Sequence, residues 1–102
     1  MSIKIRFLYF ENCPNAEPAL KLLKETLDEM KVEAEIEIID IKTLEEAEKY
    51  NFLGSPTIQI NGVDIEKKRR GEKAVMGCRV YGNRGVPPKE LIVEAIKELQ
   101  NS

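Results

Sequence analysis

Apolar and polar residues alternate along Ile3-Lys4-Ile5-Arg6-Phe7 and then merge into an unbroken apolar run, Phe7-Leu8-Tyr9-Phe10. A period of two predicts a strand, and the closing run predicts that its C-terminal end is buried on both faces. From Ala16 to Met30 the residues Ala19, Leu20, Leu23, Leu27 and Met30 recur at helical spacing with Lys and Glu between them, an amphipathic helix. Val32 to Ile41 returns to alternation, apolar against Glu, and predicts a second strand. Thr43 with Glu46 three residues later is a capping box, opening a short helix that reaches about Asn51. Thr57 to Ile60 predicts a third strand. Asn61-Gly62 follows, and both positions accept positive φ, so the chain turns in a hairpin and returns along Val63-Asp64-Ile65. Pro87-Pro88 precedes a last helix with Leu91, Ile92, Ala95, Ile96 and Leu99 on its apolar stripe.

The order β-α-β-α-β-β-α predicts an α/β fold. Its first two strands, joined by a helix, are parallel with a right-handed crossover, and the last two form an antiparallel hairpin. The result is a four-stranded mixed sheet flanked by helices. No repeat, low-complexity tract or linker divides residues 1–102, so one domain is expected. Residues 66–86 are the least regular part, with four glycines and an apolar patch from Val75 to Tyr81, and read as an insertion before the last helix.

Composition narrows the function classes. No apolar run reaches 18 residues, so no membrane span is expected. Lys4 and Arg6 interrupt the N-terminal apolar residues, unlike a signal peptide, which points to the cytoplasm. A net charge of −2 argues against a nucleic-acid partner. The basic run Lys67-Lys68-Arg69-Arg70 is flanked by Glu66 and Glu72 and reads as a solvated loop. The 15 Glu and 11 Lys form a balance common in heat-tolerant proteins. The two cysteines point to a reduced compartment, with either thiol chemistry or plain burial. With no His in the chain, neither a Cys–His catalytic pair nor a Cys/His zinc site is available. No cofactor is implied, and a monomer is expected.

Cys13 stands where the first strand hands over to the first helix. Beside a helix N-terminus a thiolate is stabilised by the macrodipole and by free N–H groups, which would make Cys13 a nucleophile. Against this stands burial as a small apolar residue, the common fate of free cysteine. With Asn15 as N-cap, Pro18 takes the third helical position, where its missing N–H costs no hydrogen bond. Cys13 then lies just before the helix. Glu11 and Glu17 flank the thiol, oppose its ionisation and are not convincing bases. Cys78 has two readings as well. The hairpin runs back towards the Cys13 end of the sheet, so Cys78 can be a resolving thiol or a soft-metal ligand; otherwise it is a buried residue of the Val75–Tyr81 patch. A disulfide between them needs Cα atoms within ~7 Å. Arg79 and Tyr81 are read as structural.

The element order, with Cys13-Pro14 at the first strand–helix turn and Ser55-Pro56 opening the hairpin, resembles the thioredoxin/glutaredoxin superfamily over nearly the whole chain. Within it the chain resembles small uncharacterised bacterial and archaeal thioredoxin-like proteins. The residues that carry this likeness are Cys13-Pro14-Asn15, Phe52-Leu53-Gly54-Ser55-Pro56-Thr57, Cys78-Arg79-Val80-Tyr81 and Pro87-Pro88. The resemblance implies a cis Ser55–Pro56 bond facing Cys13, and a substrate site formed by Pro14, Ser55, Pro56 and Thr57. The reading taken with it is thiol–disulfide exchange on a protein or small thiol substrate, with Cys13 attacking and either Cys78 or an external thiol resolving. One departure limits it: where dithiol thioredoxins carry Cys-x-x-Cys, the fourth position here is Ala16. Two other functions stay open. One is a two-thiolate binder of Hg²⁺ or Cu⁺ related to organomercurial lyases, with Asp64 as the nearest carboxylate. The other is an interaction module whose cysteines only pack.

Overall fold

The central strand β1 (Ile3–Tyr9) packs against a core on each face, which is why its sequence ends in an unbroken apolar run. A computed structural model describes residues 3–100 and places β1 parallel to β2 (Ala34–Asp40), in register from Ile3 with Ala34 to Tyr9 with Asp40. On its other side β1 pairs antiparallel with β4 (Thr57–Ile60), which turns through Asn61-Gly62 into β5 (Val63–Asp64). The sheet order is β2-β1-β4-β5. At the turn Asn61 has φ 52° and Gly62 φ 83°, as a primed hairpin turn demands. The Asn61 amide also donates to the Leu99 carbonyl at 2.9 Å, tying the hairpin to the end of the last helix.

Alternation along β1 sends side chains to two cores. Ile3, Ile5 and Phe7 meet α1 (Ala16–Met30) and α3 (Lys89–Leu99) through Ala19, Leu23, Leu27, Ile92, Ala95 and Ile96. Leu8 points the other way, onto Ile41, Phe52 and Ala47 of α2 (Leu44–Tyr50). The helices thus cover both faces. Thr43 caps α2 by accepting from the Glu46 N–H at 3.1 Å. The Glu46 carboxylate reaches back to the Lys42 N–H at 2.9 Å. Asn51, in the left-handed conformation at φ 56°, ends that helix as its C-cap.

The structure departs from the sequence reading chiefly after Asn51. Leu53–Ser55 forms a short strand β3, and Val75–Cys78 a strand β6, paired in parallel as a separate two-stranded sheet. Lys67–Arg69 is a single 3-10 turn. The apolar patch from Val75 to Tyr81 is the reverse of a buried one. Val75, Met76 and Val80 are 45%, 41% and 55% exposed, while Arg79 and Tyr81 are buried. Cys78 is exposed, which removes its reading as a small core residue. The physical reason is the Arg79 side chain, which is drawn inward by buried carboxylates and turns its neighbours outward. The second strand is shorter than the sequence suggested, because Val32 N–H instead bonds the Leu27 carbonyl in the cap of α1.

Leu23→Ala, at a fully buried position between α1 and the sheet, should cost about 2–5 kcal/mol in chemical denaturation. Ile38→Ala, at a residue 48% exposed, should stay within about 0.5 kcal/mol.

Candidate functional site

Cys13 lies in a tight turn between β1 and α1. Its N–H donates to the Phe10 carbonyl at 3.3 Å, and its own carbonyl accepts from Ala16 at 3.3 Å. Asn12 makes the turn possible by adopting φ 68°, which asparagine tolerates better than most residues. The first helical bond runs from Ala19 to Asn15 at 3.1 Å, so Asn15 is the N-cap and Pro18 stands third in the helix, where no bond is lost. Cys13 is therefore two residues ahead of the cap; it is half-buried, and its thiol is free. Pro14 is exposed beside it. The Asn15 amide packs on Gly85, where any Cβ would run into it, so the loop before α3 closes on this turn.

The second wall is Phe52–Thr57, buried throughout, with a cis Ser55–Pro56 peptide. The Ser55 hydroxyl accepts from the Phe10 N–H at 3.3 Å. Phe10 therefore bonds Ser55 through its N–H and Cys13 through its carbonyl. On its main-chain side Ser55 is in register with Cys78 on β6, and its carbonyl accepts from the Arg79 N–H at 3.0 Å. Ser55 thus joins the Cys13 turn to the Cys78 strand: hydroxyl to one, backbone to the other. Tyr81 closes the segment by donating its hydroxyl to the Pro56 carbonyl at 2.6 Å. The Thr57 hydroxyl donates to the Gly54 carbonyl at 2.6 Å and accepts from the Leu53 N–H at 3.2 Å. A hollow of about 830 Å³ lies at the far end of β1 against Lys4, Arg6, Glu35 and Glu37.

Arg79 holds this arrangement together. Its guanidinium is 2% exposed and pairs bidentately with Asp64 at 2.8 Å on each arm. It also donates to Glu66 at 3.1 Å and to the Thr57 hydroxyl at 3.2 Å, and stacks 4.4 Å above the Tyr81 ring. Burial alone would push the Arg79 pKa down; hydrogen bonds and charge from Asp64 and Glu66 outweigh it, and the net direction is up. Burial raises the Tyr81 pKa, and the nearby Asp64 and Glu66 add to this while Arg79 opposes it. Both oxygens of Asp64 are engaged by Arg79, so this carboxylate is not free to act as a proton donor beside a thiol-bound metal. Among the described residues no group of three or more His, Cys, Asp or Glu could hold a metal ion. None of the described helices is long and apolar enough to cross a membrane.

Close approach of β6 depends on Gly54, which has φ +103°. A Cβ there would lie 3.1 Å from both the Arg79 Cβ and the Gly77 carbonyl oxygen. Sequence reasoning placed Arg79 and Tyr81 in structural roles but missed their partners. The available signal was Glu66 and Asp64 around Ile65, two carboxylates on a segment otherwise reading as a buried strand end.

The thioredoxin domain family matches residues 1–65. Over 97 residues the chain is 31% identical to a thioredoxin of Methanocaldococcus jannaschii, an alignment covering 94% of each protein. The chain belongs to the thioredoxin family. The family match holds Cys13, Pro56 and Asp64 and ends at residue 65, before β6, while the alignment with the relative spans 97 residues.

Arg79→Met leaves two buried carboxylates without their cation and should cost about 3–5 kcal/mol in urea denaturation. Alkaline pH gives a second check. Tyr81 keeps its proton in the folded state above the value of ~10 at which an unfolded tyrosine loses it. The stability this contributes is fully present below that pH and is lost as pH rises through the folded value. Denaturation midpoints measured across this range should fall with pH, and Tyr81→Phe should flatten the fall.

Proposed function

We propose that this protein carries out thiol–disulfide exchange, with Cys13 as the attacking thiolate and either Cys78 or an external thiol as the resolving one. Membership of the thioredoxin family supports a thiol redox role in general. The observation that supports the attacking role is the half-buried Cys13 thiol in the turn before α1, to which Ser55 is tied through its hydroxyl; Cys78 lies on the strand across β3 from that turn. Pro14 is exposed beside the half-buried Cys13, and Ser55, Pro56 and Thr57, the other residues read as the substrate site, are buried.

The Cys13 thiolate attacks one sulfur of the substrate disulfide. A new S–S bond forms to Cys13, the substrate S–S bond breaks, and the other substrate sulfur leaves as a thiolate that takes a proton from water. The Cys78 thiolate then attacks the Cys13 sulfur of this mixed disulfide, releasing the second substrate thiolate. The substrate is reduced by two electrons, and Cys13 and Cys78 are left joined. Two equivalents of an external thiol return them to the reduced state and leave joined as their own disulfide. The exposure of Cys78 and the free state of both thiols support this division of labour. The chain acts as a cytoplasmic monomer with a thiol or disulfide substrate, without a nucleic-acid or membrane partner.

Intact mass spectrometry after addition of a disulfide tests this. The native protein should pass through a mixed disulfide to a species two hydrogens lighter. Cys78→Ser should halt at the mixed disulfide on Cys13, and Cys13→Ser should lose the rapid adduct. Accumulation of a stable adduct on the native protein would remove Cys78 from the mechanism. Adducts confined to Cys78 would remove Cys13.

A further inference from the structure

We infer that the disulfide substrate is a small molecule, and not a polypeptide laid along the Ser55–Pro56 segment; this rests on the exchange reading above. An extended polypeptide binds by adding a strand to a sheet edge, through unpaired main-chain groups. The strand beside the Cys13 turn is β3, and both its sides are taken. One side meets the end of β1 through the Phe10 N–H and the Ser55 hydroxyl. The other carries β6. Four carbonyls along the segment have donors from within the chain: Phe52 from the Val75 N–H at 2.9 Å, Ser55 from Arg79, Gly54 from Thr57 and Pro56 from Tyr81.

The occupying strand is not loosely held. To vacate the edge, β6 must carry Arg79 away from Asp64 and Glu66, where its guanidinium is 2% exposed. Gly54 lets the two backbones meet where a Cβ would lie 3.1 Å from Arg79 and from the Gly77 carbonyl, at a φ of +103° that side chains rarely adopt. A polypeptide added instead to the outer side of β6 would face Cys78, one strand spacing of ~4.8 Å further from the Cys13 turn. A small disulfide needs no edge. It must only reach a half-buried thiol in a turn whose other residues, Glu11, Asn12 and Pro14, are exposed.

The test uses the full chain carrying Cys78→Ser, so that only Cys13 can react. One probe is bis(2-hydroxyethyl) disulfide. The other is an extended peptide whose single cysteine is joined to mercaptoethanol, the same disulfide chemistry on a polypeptide. Each rate of Cys13 adduct formation, read by mass spectrometry, is divided by the rate of the same probe with N-acetylcysteine. The small disulfide should lead by about tenfold, a difference of ~1.4 kcal/mol. Val75→Pro removes the N–H that bonds Phe52 at a position 45% exposed, loosens β6, and should narrow that lead. Should this variant not fold, Tyr81→Phe, which frees the Pro56 carbonyl, gives the same comparison. A peptide that reacts with the Cys78→Ser protein as fast as the small disulfide would overturn the inference and leave the exchange reading intact. A lead unmoved by loosening β6 would overturn it too. If neither probe modifies Cys13, the exchange reading itself fails.

Discussion

A guanidinium with almost no access to water dictates the arrangement around Cys13. Arg79 cannot shed its charge, so it must be met by carboxylates, and Asp64 and Glu66 meet it from the end of the hairpin. The same side chain reaches Thr57 and covers the Tyr81 ring, and its backbone N–H bonds Ser55. Five residues from three stretches of chain are therefore tied to this one residue, four through its cation and Ser55 through its backbone. Such a cluster adds little net stability compared with a well-packed apolar one, because desolvation offsets most of the attraction. Its effect is on register: β6 lies against β3 in the one alignment that brings Arg79 to Asp64, and that alignment sets Cys78 opposite Ser55.

From this constraint the chemistry follows in short steps. The thioredoxin domain supplies a cysteine in the turn before α1 and a proline segment that opens the hairpin. Ala16 stands where a second cysteine would be one helical turn along. The strand beyond the family match brings the other thiol by a different route, along the outside of β3. It also covers the edge that would otherwise present main-chain acceptors. In the proposed reading, one structural element thus bears on both the second thiol and the size of molecule that reaches the first.

Much of the frame was legible because it is written locally. Thr43 and Glu46 form a cap within one turn of helix, Asn61-Gly62 fixes a hairpin with two residues, and the apolar stripes of α1 and α3 need no knowledge of their partners. The turn at Cys13 was legible for the same reason. β3 and β6 were not. They are three and four residues long, each contains a glycine, and neither has enough alternation to register as a strand. What pairs them is a contact between Arg79 and Asp64, fifteen residues apart, and a charged residue inside an apolar patch reads as the exposed one. Here it is the apolar neighbours Val75, Met76 and Val80 that face outward, and the inversion follows from the carboxylates waiting inside.

The central claim is that β6 is locked onto β3 and does not simply rest there. Amide hydrogen exchange followed by NMR measures this directly, because the Val75 and Arg79 N–H groups are the ones bonded to Phe52 and Ser55. If the lock exists, both amides exchange slowly, opening only in larger unfolding events and approaching the protection of the β4 amides in the central sheet. Exchange of Val75 and Arg79 at rates typical of an exposed loop, while β4 remains protected, would contradict the account.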